Sequence, residues 1–177
     1  MIVFAGIEVN QKTRDLCESL QGMLKMRTAG SYPRRENFHV TLAYFGEVDE
    51  GKRKEIQKIM EETSFTRNEL LFTRLGVFGG GKGDQIVLLA RPQDALLTYR
   101  EELIKQFGEK WIYTDSKPFR PHVTLVRAKK KMVDCSGISF EPTSSPVEKV
   151  VLFRSYERFG KRIYEPLGSY HAGLERL

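Results

Sequence analysis

Two histidines, His39 and His122, each stand two residues before a threonine in the same tetrapeptide, His-Val-Thr-Leu. In an extended strand alternate side chains share a face. His39 and Thr41 would then point one way and Val40 and Leu42 the other, with His122 and Thr124 opposed to Val123 and Leu125 in the same manner. A neutral imidazole takes a proton and an imidazolium gives one close to neutral pH. The hydroxyls can donate to oxygens on which charge is held. Gathered around one space, these four groups could deprotonate a nucleophile on one side of a phosphorus and protonate a leaving oxygen on the other. One copy on a strand face would carry little weight. The duplication, with Asn37-Phe38 leading into one copy and Arg120-Pro121 into the other, is what points to chemistry.

Other residues are weaker candidates. Arg120 and Arg127 bracket the second motif, and Arg34 and Arg35 precede the first; all four read by default as solvated surface residues. Arg127 lies five positions beyond His122, on the opposite face of an undistorted strand. Only a bulge, twist or strand end would aim it at a phosphate. Phe119, Tyr44 and Phe45 could stack on bases, but such residues in strands usually belong to the core. Lys129-Lys130-Lys131 reads as a solvated loop able to steer a polyanion. His171, the third and last histidine, sits in a polar C-terminal stretch without an assigned role.

No carboxylate or cysteine lies at ligand spacing beside either motif, so neither a metal nor a cofactor is expected. Residues 76–83 nearly spell the phosphate-binding pattern G-x-x-x-x-G-K-[ST]. Gly83 stands where a hydroxyl residue belongs, and strand-like residues follow where a helix is needed. A hairpin tip is the better reading.

The elements that must position the motifs follow from apolar periodicity. Residues 2–9 read as a strand. Residues 11–27 read as a helix through Leu16, Leu20, Met23 and Leu24, with Asn10 as its cap. After a turn at 29–33 comes the first motif strand, 38–45. A second helix starts at Asp49 and carries Ile56, Ile59 and Met60. Strands at 70–77 and 85–90 flank the glycine-rich turn. Pro92 opens a third helix with Leu96, Tyr99, Leu103 and Phe107 on one face. The second motif strand spans 119–128, and a strand pair at 147–156 and 162–167 ends the pattern. There is no regular βαβ alternation, so the fold class is α+β. The motif histidines are separated by close to half of the 177 residues. That spacing predicts two pseudo-symmetric lobes, each an antiparallel sheet with flanking helices, around a central cleft.

Bulk properties agree. The length suits one domain, and 40% hydrophobic with 29% charged residues describes a folded globular chain. The formal net charge of +6 favours an anionic partner such as nucleic acid without demanding one. Two cysteines without CxxC spacing argue against a disulfide framework or zinc knuckle and for a reducing cytoplasm. The N-terminal apolar run is broken by Glu8 and has no basic lead-in, so it reads as a strand and not a signal peptide. No window reaches membrane-span length.

Pro33-Arg34-Arg35-Glu36-Asn37-Phe38-His39-Val40-Thr41-Leu42-Ala43-Tyr44-Phe45-Gly46-Glu47 and Phe119-Arg120-Pro121-His122-Val123-Thr124-Leu125-Val126-Arg127 resemble the paired motifs of the two-histidine (2H) phosphoesterases. The branch they resemble is the RNA 2′,3′-cyclic phosphodiesterases, formerly described as 2′-5′ RNA ligases. Leu75-Gly76-Val77-Phe78, Val151-Leu152-Phe153-Arg154-Ser155 and Tyr164-Glu165-Pro166-Leu167 look like further landmarks. The resemblance implies one bilobal domain over 1–177 with a positively charged cleft. Residues 168–177 have no matching counterpart and could lie outside the core. It also implies hydrolysis of an RNA terminal 2′,3′-cyclic phosphate to a 2′-phosphate, with His39 as proton donor and His122 as acceptor by family convention. The motifs are chemically alike, so the residues alone do not fix that order. Thr41, Thr124, Phe119, Arg120 and Arg127 form the expected substrate-binding set. Reversal of the last step would form a 2′-5′ linkage without ATP. A cytoplasmic monomer with no membrane association is expected. Two alternatives stay open: a phosphodiesterase of small cyclic nucleotides or ADP-ribose cyclic phosphate, and an RNA-end-binding module without turnover.

Overall fold

A computed structural model describes residues 1–115 and 117–173. Along the chain they form β1 (Ile2–Glu8), α1 (Gln11–Lys25), β2 (Gly30–Ser31), a 3-10 turn (Arg35–Asn37), β3 (His39–Glu47), α2 (Glu50–Glu62), β4 (Asn68–Gly79), β5 (Asp84–Pro92), α3 (Asp94–Glu109), β6 (His122–Ala128), β7 (Thr143–Val147), β8 (Lys149–Arg158) and β9 (Lys161–His171). The helix starts are set by side-chain caps. Asn10 accepts from the Thr13 amide at 3.0 Å and Asp49 from the Lys52 amide at 2.8 Å, each satisfying a donor the first turn leaves free. The apolar faces read from the sequence are the buried ones: Leu20 and Leu24, then Ile56, Ile59 and Met60, then Leu96, Tyr99, Leu103 and Phe107.

Two antiparallel sheets result, one ordered β3-β1-β8-β9 and the other β2-β6-β5-β4-β7. Each carries one motif strand, β3 in the first and β6 in the second. This is the two-lobed α+β fold expected, but the lobes are not the two halves of the chain. β2 leaves the N-terminal half to pair with β6, and β8 and β9 come from the C-terminal end to complete the sheet of β1 and β3. The helices cross over as well. α1 follows a strand of the first sheet and packs on β6 and β7 of the second; α3 follows β5 and packs on β3. One continuous apolar core therefore runs through both sheets.

Two details depart from the sequence reading. The strand expected at 147–156 is β8, which starts at Lys149; Val147 instead ends β7, a strand of the other sheet that the sequence pattern did not predict. Pro146 is tolerated in β7 because that strand lies at an edge, where a missing N–H costs no ladder bond. Residues 168–171 are not a loose tail: they belong to β9, and Tyr170 is buried against the core. Residues 174–177 of that expected tail lie outside the described residues. Among the described residues no helix is long and apolar enough to cross a membrane.

The motif strands share a distortion that decides what faces the cleft. On β3, Thr41 pairs with Gly6 and Ala43 with Ala5, so Leu42 is an extra residue. On β6, Thr124 pairs with Val87 and Val126 with Ile86, so Leu125 is extra. Each is a β-bulge at the leucine of its motif. The bulge buries two successive residues, Leu42-Ala43 and Leu125-Val126. It returns the residue five places beyond each histidine to the histidine's face. Those residues are Tyr44 and Arg127.

Candidate active site

The faces of β3 and β6 meet at a cleft of about 860 Å³ between the sheets. His39, Thr41, His122, Thr124 and Arg127 all line it, and so does Tyr44. The valine and leucine of each motif are buried behind them. The bulge on β6 is the distortion Arg127 needs to face the cleft. Phe119 and Arg120 lie outside the lining. Phe119 carries the Arg100 guanidinium 4.6 Å above its ring, and Arg120 reaches over Phe78 at 4.7 Å. Phe45 is core, edge-on to Phe107. Arg34 lines the cleft, whereas Arg35 is tied to Asp15, Glu18 and Gln11 on α1. His171, at the end of β9, is not a lining residue.

Both imidazoles are held in the same way. His39 Nδ1 lies 2.8 Å from the Asn37 carbonyl oxygen and His122 Nδ1 lies 2.6 Å from the Arg120 carbonyl oxygen. A carbonyl only accepts, so Nδ1 carries the hydrogen and the neutral ring keeps its lone pair on Nε2. The surroundings then diverge. His39 sits on Gly6, in an aromatic nest of Phe4 at 4.9 Å, Tyr164 at 5.1 Å and Phe153 at 6.5 Å between ring centroids. His122 packs edge-on against Phe78 at 4.8 Å.

The hydroxyls diverge too. Thr41 Oγ1 is 3.0 Å from His39 Nε2 and donates to it when the ring is neutral. Thr124 Oγ1 instead accepts from Gln85 Nε2 at 2.7 Å, which leaves its own hydrogen to donate into the cleft. Gln85 and Gly6 are contributors that the sequence did not reveal; each acts across a strand pair on a motif distant in the chain. Asn37 enters the sequence reading only as part of the lead-in to the first motif, and its carbonyl is what holds His39.

Burial pushes His39 down to about 4, a shift the Asn37 hydrogen bond opposes and the positive His122, Arg127 and Arg14 reinforce. His122 is also lowered, first by burial, against the Arg120 carbonyl and with the help of the Arg120 and Arg127 charges. At neutral pH both rings are thus neutral in the protein alone, inside a cleft whose net field attracts an anion. An anion placed between them would raise both proton affinities. No cluster of three or more His, Cys, Asp or Glu side chains suited to a metal occurs among the described residues.

The sequence profile of the 2′-5′ RNA ligase superfamily matches residues 11–134, which include both motifs and the strands that carry them. The chain belongs to this superfamily. Within it, the chain is 31% identical over 155 residues to an RNA 2′,3′-cyclic phosphodiesterase of Aeropyrum pernix, covering 73% of this chain and 81% of that one. It is 26% identical over 165 residues to an RNA 2′,3′-cyclic phosphodiesterase of Thermotoga maritima, covering 88% and 87%. Among solved structures, E. coli LigT complexed with 3′-AMP shares the fold with a TM-score of 0.81, at 21% identity over 98% of both chains.

Proposed function

We propose that this chain is an RNA 2′,3′-cyclic phosphodiesterase that opens a terminal cyclic phosphate to a 2′-phosphate by two-histidine acid–base catalysis, without a metal ion. The observation that carries the reading is the convergence of two imidazoles, each with Nδ1 anchored and the lone pair on Nε2, with two threonines and an arginine in one cleft. In the reaction, His122 Nε2 takes a proton from water as the water oxygen bonds to phosphorus. The P–O3′ bond breaks, and protonated His39 gives its Nε2 proton to O3′. A 3′-hydroxyl and a 2′-phosphate result. His122 then loses its proton to solvent and His39 regains one.

The order of roles is the one the family resemblance implies. His39 is neutral in the protein alone, so the substrate's own negative charge supplies the field that charges it. Protonation also turns the Thr41 hydroxyl from donor to His39 into acceptor, freeing its hydrogen for the phosphate. Thr124 and Arg127 face the same non-bridging oxygens. The reverse step, with an RNA 5′-hydroxyl in place of water, would form a 2′-5′ linkage. The two unpaired cysteines, Cys17 and Cys135, suit a cytoplasmic enzyme, and we take it to act as a monomer.

The test is product analysis on an oligoribonucleotide ending in a 2′,3′-cyclic phosphate, resolving 2′- from 3′-phosphate, with EDTA throughout. The 2′-phosphate should accumulate, and His39→Ala or His122→Ala should lower kcat at least about a thousandfold. Turnover retained in either variant would sink the assignment of roles. Loss of wild-type activity on adding EDTA would sink the metal-free scheme, and binding without any product would leave the RNA-end-binding module.

A further inference from the structure

We infer that the tip of the β8–β9 hairpin is a stacking platform for the bases upstream of the RNA terminus, with Phe159 as the stacking ring. This rests on RNA being the substrate. β8 ends at Arg158 and β9 begins at Lys161, so Phe159 and Gly160 form a two-residue turn. Both have left-handed backbones, with φ of 51° and 73°. Such turns are ordinarily filled by Asn-Gly, because a side chain at positive φ is strained unless it is short and polar. Phe159 is a poor residue for this turn, and its side chain is 91% exposed. Neither backbone geometry nor burial accounts for it.

Its location does. Gly160, Lys161 and Arg162, the next three residues, line the cleft. The hairpin is pinned beside the first motif, since the Arg162 carbonyl accepts from Arg34 Nη2 and from Asn37 Nδ2, each at 2.9 Å. Asn37 is also the residue whose carbonyl holds His39. The tip therefore stands in fixed register with the reacting end of the cleft.

Charge indicates the occupant. Arg162 is paired with Glu157 and Arg34 with Glu36. Among the described residues Arg158 and Lys161, on either side of the turn, have no carboxylate within ion-pair reach; the Arg158 guanidinium lies 5.4 Å from the Phe159 centroid. An exposed aromatic face flanked by two unneutralised cations matches a single strand, whose bases stack while its phosphates meet the cations. An apolar protein partner would find one ring and two charges.

Two assays on the full chain decide this. One is fluorescence anisotropy of a labelled oligoribonucleotide bearing a terminal 2′-phosphate. The other is turnover of a 2′,3′-cyclic mononucleotide, which has no upstream base to stack. Phe159→Asn should weaken oligonucleotide binding about tenfold, leave mononucleotide kcat/KM unchanged, and not lower Tm, since Asn relieves the turn. Phe159→Trp should restore binding. Unchanged oligonucleotide affinity in Phe159→Asn overturns the platform, as does an equal loss on the mononucleotide or no RNA binding by the wild type. If the wild type turns over no cyclic phosphate yet the Asn variant loses RNA affinity, the proposed reaction fails and the platform stands.

Discussion

The two threonines have the same sequence context and different hydrogen-bond partners. Thr124 spends an acceptor site on Gln85 and so presents its hydrogen to the cleft; Thr41 shares its hydrogen with His39. Gln85 is thereby a positioning residue for one phosphate donor. Gln85→Leu should lower kcat about tenfold with KM nearly unchanged, the cost of a donor no longer aimed. Gln85→Glu should do worse, because a carboxylate would draw the Thr124 hydrogen away from the substrate and repel the phosphate. Steady-state kinetics on both variants check this, and a KM effect alone would mean that Gln85 only helps bind. The histidines and threonines were legible because a doubled tetrapeptide announces itself. Gln85 was not, since it belongs to no motif and reaches Thr124 only through the β5–β6 pairing.

At the scale of elements, strict alternation predicted which residues share a face only as far as each bulge. It placed His39 with Thr41 and His122 with Thr124, and then failed for Arg127, because an extra leucine resets the parity of the strand. The short edge strands β2 and β7 were equally hidden: two and five residues with serines and a proline offer no periodicity to read. The strand opposite the first motif adds a constraint of its own. A Cβ on Gly6 would come within 3.3 Å of His39 Cδ2, 3.2 Å of Phe4 and 3.4 Å of Phe153. The glycine is there so that β1 can pass beneath the imidazole. Gly6→Val should tilt His39 off its Asn37 carbonyl and lower kcat by a hundredfold or more, on the order of a misplaced catalytic group. Gly6→Ala should cost less, since its neighbours need give only slightly. A Gly6→Val enzyme with wild-type kcat would mean that His39 tolerates displacement.

At the scale of the molecule, both histidines sit at the seam of a core that two interlocked sheets share, so their protonation is coupled to folding of the whole chain. His39 is lowered from 6.5 to about 4 in the folded state. Above pH 6.5 neither state is protonated and the stability is intact. As pH falls from 6.5 toward 4, the unfolded chain takes the proton before the folded one does, and stability is lost across that window. For His39 the loss between pH 7 and pH 5 is about 2 kcal/mol, and His122, lowered too, acts with the same sign. Carboxylates titrate over part of this range, so the informative quantity is a difference between proteins. Urea midpoints at both pH values should show His39→Asn losing about 2 kcal/mol less than wild type. Inorganic phosphate bound between the rings would raise their proton affinities and should flatten the wild-type curve in the same window. Parallel losses in wild type and His39→Asn, with or without phosphate, would mean that the histidine is not held neutral by the fold. The Coulombic demand on the substrate to charge it would then disappear.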